Sequence, residues 1–385
     1  MGLDDPLPGD FEDSGSAEDT NATHLPDDVD DLWSGAGIHL DELKTSTAFV
    51  RELQQATLGD PTQGMSCEGL ERLRNPLRGQ PSASVDEDAR LAIDLYLGTT
   101  SEATYETVRA AILRRWPGTE LPSYYKAKRL VADLSGIESV IHDMCINSCM
   151  AFTRPFLELE SYPVCAEPQY DQFRIQTSDG KDRAPRQEFH TIPIGPQIQA
   201  LYCAPESAKY AHYLREERSH VLSEVHSKGC LAEYSDVLHG TDLIDAFEDG
   251  RIEEDDVVLM FSIDGAQLYA KKASACWIYI WVLFNLPPSL RYKKNFVFIG
   301  GFIPGPNNPK NVDSFLLPGL QHLVSLQKDG LRIWDGALER ELRSRVFLAL
   351  LTADGPGMMH ITGLVGYHGK HGCRLYCGLA GRREE

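Results

Sequence analysis

The sequence has no long apolar run. Its longest, Cys276 to Leu286, is about half of what a membrane-crossing helix needs. A basic and then apolar leader is also missing, since the first 31 residues hold 11 Asp or Glu and no Lys or Arg. Neither a membrane span nor a secretory signal is expected. Cysteine is sparse: nine thiols, an odd number, lie scattered without the dense spacing of a disulfide scaffold. Such thiols are expected to stay reduced in an intracellular compartment. No phosphate loop is present, because Gly300-Gly301 and Pro304-Gly305-Pro306 lack the trailing Lys-Ser/Thr and read as turns. What is there is ordinary in bulk. The chain has 385 residues, 42% hydrophobic and 24% charged, which excludes collagen-like, coiled-coil and wholly disordered classes and leaves room for two or three domains.

A net charge of −20 argues against a polyanionic partner unless charge is segregated along the chain. It is segregated. Residues 264–385 carry 15 Lys or Arg against 9 Asp or Glu, or +6, while residues 1–263 carry 22 against 48, or −26. The C-terminal part therefore keeps nucleic acid open as a partner.

Residues 1–36 combine Asp, Gly, Pro and Ser with isolated Leu and Trp33, too little apolar surface to offset ordering entropy, and read as a disordered acidic tail. Residues 37–165 read as mostly helical. Leu43, Ala48, Val50 and Leu53 mark one helix, Leu91, Ile93 and Leu95 a second, and Val108 to Trp116 a third ended by Pro117-Gly118. A fourth pattern runs from Tyr124 through Leu134, breaks at Gly136 and resumes through Val140 and Ile141. Residues 61–84, with several Pro and Gly, read as a loop. Residues 166–255 form a connecting region containing a helix-like stretch from Gln197 to about His226.

Residues 256–385 change texture. Val257 to Ile263 reads as a strand buried on both faces, ending at Asp264-Gly265. Strand-like runs Trp277 to Phe284 and Phe296 to Ile303 follow, separated by Pro287-Pro288 and a basic turn of Arg291, Lys293 and Lys294. Trp277, Tyr279 and Trp281 alternate at strand period and are assigned to the sheet core. Helical spacing returns from Phe315 to Leu326, then Val346 to Leu351 forms a run ending at Asp354-Gly355-Pro356. The overall class is α/β (α+β overall). A helical N-terminal region precedes a partial mixed sheet with the strand, strand, strand, helix, strand order of ribonuclease H-like nucleotidyl transferases. In that order Asp264 and Asp354 end adjacent strands, where two carboxylates can share a pair of Mg²⁺ ions about 3.5–4 Å apart. Asp-Gly is also a common turn dipeptide, so either residue alone carries little.

Several blocks in one order carry a resemblance: Met260-Phe-Ser-Ile-Asp-Gly-Ala-Gln-Leu-Tyr269, Cys276-Trp-Ile-Tyr-Ile-Trp281, Ile303-Pro-Gly-Pro-Asn307, Pro309-Lys-Asn-Val-Asp-Ser-Phe315, Thr352-Ala-Asp-Gly-Pro-Gly357 and Lys370-His-Gly-Cys-Arg-Leu-Tyr-Cys-Gly378. Together with Ser123-Tyr-Tyr-Lys, Gly136-Ile-Glu-Ser, His142 to Cys149 and Gln199-Ala-Leu201, they make roughly residues 85–380 resemble fungal CACTA-type transposases of the Plavaka group. The resemblance implies a transposable-element DDE transposase in the nucleus, in which metal-bound water cuts the transposon ends and the freed 3′-hydroxyl attacks target DNA. Asp264 and Asp354 match the first and second metal-binding carboxylates. The third lies further downstream in such enzymes, and Glu384 and Glu385 beside Arg382-Arg383 are poor substitutes. The chain thus looks truncated, with cleavage expected from the complete enzyme rather than from these residues alone. Apolar strand faces left uncovered would favour association of copies.

Two Cys/His groups are candidate zinc sites. Cys145, Cys149 and Cys165 offer three thiolates of a tetrahedral set, with His142 or Cys203 as a conceivable fourth ligand and Tyr162 standing where relatives carry a Cys. His368, His371, Cys373 and Cys377 place four ligands within ten residues. Burial of the first group as small hydrophobes is the alternative. Arg291, Lys293 and Lys294 read as a solvated basic turn, with phosphate contact as the alternative. The rival to a transposase is a non-catalytic DNA- or protein-binding remnant of one; a zinc-stabilised structural protein is a third reading.

Overall fold

The computed structural model describes residues 41–79, 85–99, 101–267 and 275–363, and residue 369. Two units are distinguished, 1–46 and 47–385. Of the first only the opening of helix α1 (Asp41–Gln54) is described, so the acidic tail at 1–36 lies outside the described residues. Four helices follow in the second unit: α2 (Cys67–Arg74), α3 (Glu87–Gly98), α4 (Glu102–Arg115) and α5 (Tyr124–Ser135). Ser66, Asp86 and Ser101 accept from the backbone N–H groups of Gly69, Ala89 and Thr104, so each helix begins where a polar cap meets its free donors. Helices α3 to α5 enclose a small core of Ala92, Tyr105, Leu121 and Ala127.

Two expectations for this half are corrected. The segment 61–84 is not all loop, because α2 lies within it; Pro61, Gly64, Pro76 and Gly79 flank the helix and mask its short period. The helical pattern of α5 does not resume at Val140. Gly136 takes the left-handed conformation (φ 70°), its N–H closes on Ala132 O, and the chain leaves as strand β1 (Val140–Asp143). β1 pairs antiparallel with β2 (Glu188–Thr191).

The stretch from 197 to 226 is likewise three helices rather than one. Helix α6 (Ile194–Cys203) stops before Pro205, which opens a short helix to Tyr210, and α7 (Tyr213–Lys228) follows. Proline has no N–H to continue the ladder. Helix α8 (Thr241–Glu248) precedes the long strands of the sheet.

β3 (Val257–Gln267), β4 (Ala275–Leu283) and β5 (Val297–Pro304) form an antiparallel meander, and helix α9 (Val312–Asp329) then crosses back. β8 (Val346–Ala353) pairs parallel to β3, giving a six-stranded mixed sheet in the order β1-β2-β5-β4-β3-β8. β6 (Leu331–Asp335) and β7 (Arg340–Ser344) form a separate hairpin that the sequence reading did not anticipate. β3 is buried on both faces, as its unbroken apolar run requires. Val257, Leu259, Phe261 and Ile263 join a core with Ile198 of α6 and Phe315 of α9, while Val258 and Met260 join another with Leu243 and Phe247 of α8. Trp277, Tyr279 and Trp281 are buried in the first core. No described helix is long and apolar enough to cross a membrane.

Gly300 and Gly301 are not a turn but the middle of β5. A Cβ on either would come within 2.3 Å of the Tyr279 ring, so these glycines clear the space that the buried aromatic fills. Arg291 is not a solvated phosphate contact either. It is 2% exposed and pairs with both carboxylate oxygens of Asp236 at 2.8 and 2.9 Å. Lys293 and Lys294 remain exposed.

Candidate catalytic carboxylates and a three-thiol metal site

β3 and β8 run side by side in parallel register, with Ser262 opposite Thr352 and Ile263 opposite Ala353. The next residue on each strand is an aspartate, Asp264 on β3 and Asp354 just past the end of β8, and both are exposed. Neighbouring strands lie about 4.8 Å apart, so the backbone brings the two acids to adjacent positions at one end of the sheet. Each strand thus reads hydroxyl, apolar, aspartate: Ser262-Ile263-Asp264 and Thr352-Ala353-Asp354. The sequence reading singled out the aspartates and missed this shared hydroxyl, whose signal is the common i, i+2 spacing.

Asp354 has a local task as well. It caps α10 (Gly355–Thr362), its Oδ1 accepting from Gly357 N at 2.7 Å, while Oδ2 has no hydrogen-bond partner among the described residues. Gly357 permits this approach, since a Cβ there would meet Ala353 Cβ at 2.8 Å and Asp354 Oδ1 at 2.9 Å. A carboxylate with one oxygen engaged and one open, beside a second exposed carboxylate, offers the hard oxygen donors that Mg²⁺ takes.

The second arrangement is built of sulfur. Cys145 and Cys149 are buried, Cys165 is half-buried, and the three Sγ atoms lie within 4.8 Å of one another. Cys145 Sγ is 3.6 Å from Cys165 Sγ. The loop is pinned by its backbone: Cys145 N donates to Met150 O, and Cys149 O accepts from Lys310 and Asn311 N at 3.0 and 2.9 Å. Ser148 Oγ donates to Pro304 O, tying the loop to the end of β5. Burial, then the neighbouring thiols, push the Cys149 thiol up to about 12, and burial raises that of Cys145. Three sulfurs converging in a desolvated pocket could hold a metal ion, which would displace their protons.

The two fourth-ligand candidates from the sequence do not join this cluster. His142 stacks on Phe189 at 5.0 Å between ring centroids, with Nε2 buried and without a hydrogen-bond partner among the described residues, and burial pulls its pKa down to about 4. Cys203 lies at the end of α6, its thiol donating to the carbonyls of Gly79 and Leu77. Tyr162 does pack against the thiol cluster, and burial followed by the three sulfurs raises its pKa. His368, His371, Cys373 and Cys377 lie outside the described residues.

Residues 242–380 match the transposase family tnp2. The matched segment, a little over a third of the chain, contains β3 to β8 with Asp264 and Asp354. The thiol cluster lies upstream of the matched segment. No curated protein matches the chain.

Proposed function

We propose that the chain is a transposase-like protein of a fungal CACTA-type element of the Plavaka group, working in the nucleus on transposon ends and target DNA. Asp264 and Asp354 are the first two metal-binding carboxylates of a ribonuclease H-like strand-cleaving site. The observation that carries this reading is the parallel register of β3 and β8, which sets both acids at neighbouring positions within the segment matched to the transposase family. A Mg²⁺ pair bound there would activate the attacking oxygen and stabilise the leaving one. Asp264 contributes an exposed carboxylate from β3, which is paired on both sides, by β4 and β8. Asp354 contributes Oδ2 while its cap to Gly357 fixes the side chain. Ser262 and Thr352 supply hydroxyls two positions before the acids.

The thiols of Cys145, Cys149 and Cys165 hold Zn²⁺ in this reading, soft donors suiting that ion rather than Mg²⁺. Self-association fits Leu350 and Leu351 of β8, which are 42% and 36% exposed.

The test of the carboxylate assignment is Mn²⁺ binding followed by electron paramagnetic resonance. Mn²⁺ should bind the native chain, and Asp264→Asn or Asp354→Asn should each weaken binding at least tenfold. Binding that is unaffected by both substitutions would falsify the assignment.

A further inference from the structure

We infer that the exposed face of α5 is a docking surface for the phosphate backbone of duplex DNA, separate from the carboxylate pair. The choice of DNA over other polyanions rests on the transposase reading; the location of the surface rests on α5 itself. In its first two turns this helix exposes Tyr125, Lys126, Lys128 and Arg129, with Tyr125 67% exposed and the Arg129 side chain 85% exposed. Its opposite side is occupied. Ala127 is buried in the core shared with α3 and α4, and Val131 and Leu134 line an apolar groove against α2 and α6.

The order of charge along α5 is what sets it apart. Anions are favoured in the first turn of a helix and cations in the last. α2 and α4 follow that rule, with Glu68 and Glu102 at their starts and Arg72, Arg74, Arg114 and Arg115 at their ends. α5 reverses it: its first turn has no acid but contains Lys126, its last turn has no base, and the Ser123 side chain makes no capping bond. Lys126 stands in the first turn, where a cation opposes the dipole, Lys128 and Arg129 follow one turn on, and the Glu106 carboxylate of α4 accepts from Tyr124 N at the helix start. Among the described residues Lys126 and Lys128 have no ion-pair or hydrogen-bond partner, and Arg129 has only Asp133 at 3.8 Å.

Net charge decides what this face fits. A chain of net charge −20 repels a polyanion at long range, so binding needs a local basic surface that reaches the phosphates. Lys and Arg on a helix, with a tyrosine hydroxyl beside them, supply the phosphate contacts that position a protein on a duplex without reading sequence. The Tyr125 hydroxyl donates to Glu102 Oε2 at 3.4 Å, so the phosphate contacts fall to Lys126, Lys128 and Arg129.

The experiment is fluorescence anisotropy of a labelled duplex with the full chain across a series of KCl concentrations. Each phosphate neutralised contributes about 0.9 to the slope of log K against log salt, so the variant Lys126→Gln/Lys128→Gln/Arg129→Gln should lose about 2 to 3 from that slope. Its thermal midpoint should stay close to native, because the three side chains are exposed and only Arg129 has an ion-pair partner, Asp133 at 3.8 Å. The charge-keeping variant Lys126→Arg/Lys128→Arg/Arg129→Lys should retain the slope, as should Lys293→Gln/Lys294→Gln at the other exposed basic segment. An unchanged slope in the triple Gln variant, with binding retained, overturns the inference and leaves the transposase reading standing. So does a triple Gln variant that loses binding to polyglutamate but not to DNA, since the face is then a protein-docking surface. Absence of duplex binding by the native chain at low salt overturns both.

Discussion

Ile263 and Ala353 are the last parallel partners of β3 and β8, and each is followed directly by an aspartate. The two aspartates differ in what else they do, because only Asp354 also caps a helix. This separates stability from metal binding by choice of substitution. Asp354→Ala should lose the cap and about 1 kcal/mol, read as a lower thermal midpoint. Asp354→Asn keeps a capping oxygen and should stay close to native stability while losing Mn²⁺ affinity. Equal midpoints for the two variants would show that the bond to Gly357 contributes nothing.

The thiol cluster makes a prediction with a definite sign in pH. Without metal the raised pKa values keep Cys149 and Cys145 protonated at neutral pH, so metal entry must release protons. Affinity for Co²⁺, followed by thiolate charge-transfer absorption, should rise with pH and fall as the solution is acidified. Cys149→Ala should abolish the absorption, and Tyr162→Phe should alter its energy if the phenol reaches the ion. A band that persists without Cys149 places the metal elsewhere.

The sheet was largely legible because its physics is local and repetitive. The Val257 to Ile263 run is apolar at every position, as a strand covered on both faces must be, and the alternation of Trp277, Tyr279 and Trp281 gave the neighbouring strand and its inward face. The misreadings arose where a long-range partner decides. Val140 and Ile141 fit a helical period after α5 and become strand through pairing with Thr191 and His190. Gly300-Gly301 carries the signature of a turn, yet its reason is the Tyr279 ring on the adjacent strand. Arg291 stands beside Lys293 and Lys294 in a basic segment, and only its buried carboxylate partner, 55 residues upstream, removes it from solvent. The neighbouring strand-end positions of Asp264 and Asp354 were legible from strand order; the exclusion of His142 and Cys203 from the thiol cluster was not, since spacing along the chain says nothing about which way β1 or α6 presents them.

Gly301 supplies a packing prediction. A Cβ there would lie 2.3 Å from Tyr279 Cε1 and 2.7 Å from its hydroxyl oxygen, closer than any relaxed contact. Tyr279 is 1% exposed and is bounded on its other sides by Phe261 and Trp281, so it has no room to yield. Gly301→Ala should therefore cost about 1–3 kcal/mol in urea unfolding, the usual penalty of overpacking. The double variant Gly301→Ala/Tyr279→Phe should recover part of it by removing the hydroxyl. A neutral Gly301→Ala would mean that β5 can shift away from β4.

His322 of α9 gives the core a pH dependence. It is 2% exposed, its Nε2 accepts from Gly195 N at 3.1 Å, and burial pulls its pKa down to about 4. In the unfolded chain the ordinary value is about 6.5, so between the two the unfolded state binds the extra proton. Stability from this group is thus fully present above about 6.5 and is lost progressively as pH falls toward 4, by on the order of 3 kcal/mol. Urea unfolding of the native chain and of His322→Gln, in which the amide oxygen can still accept from Gly195, should diverge across this range. The native chain loses stability on acidification and the variant loses less, with His142 contributing in the same direction to both. Parallel curves for the two proteins would show that His322 is protonated within the folded core.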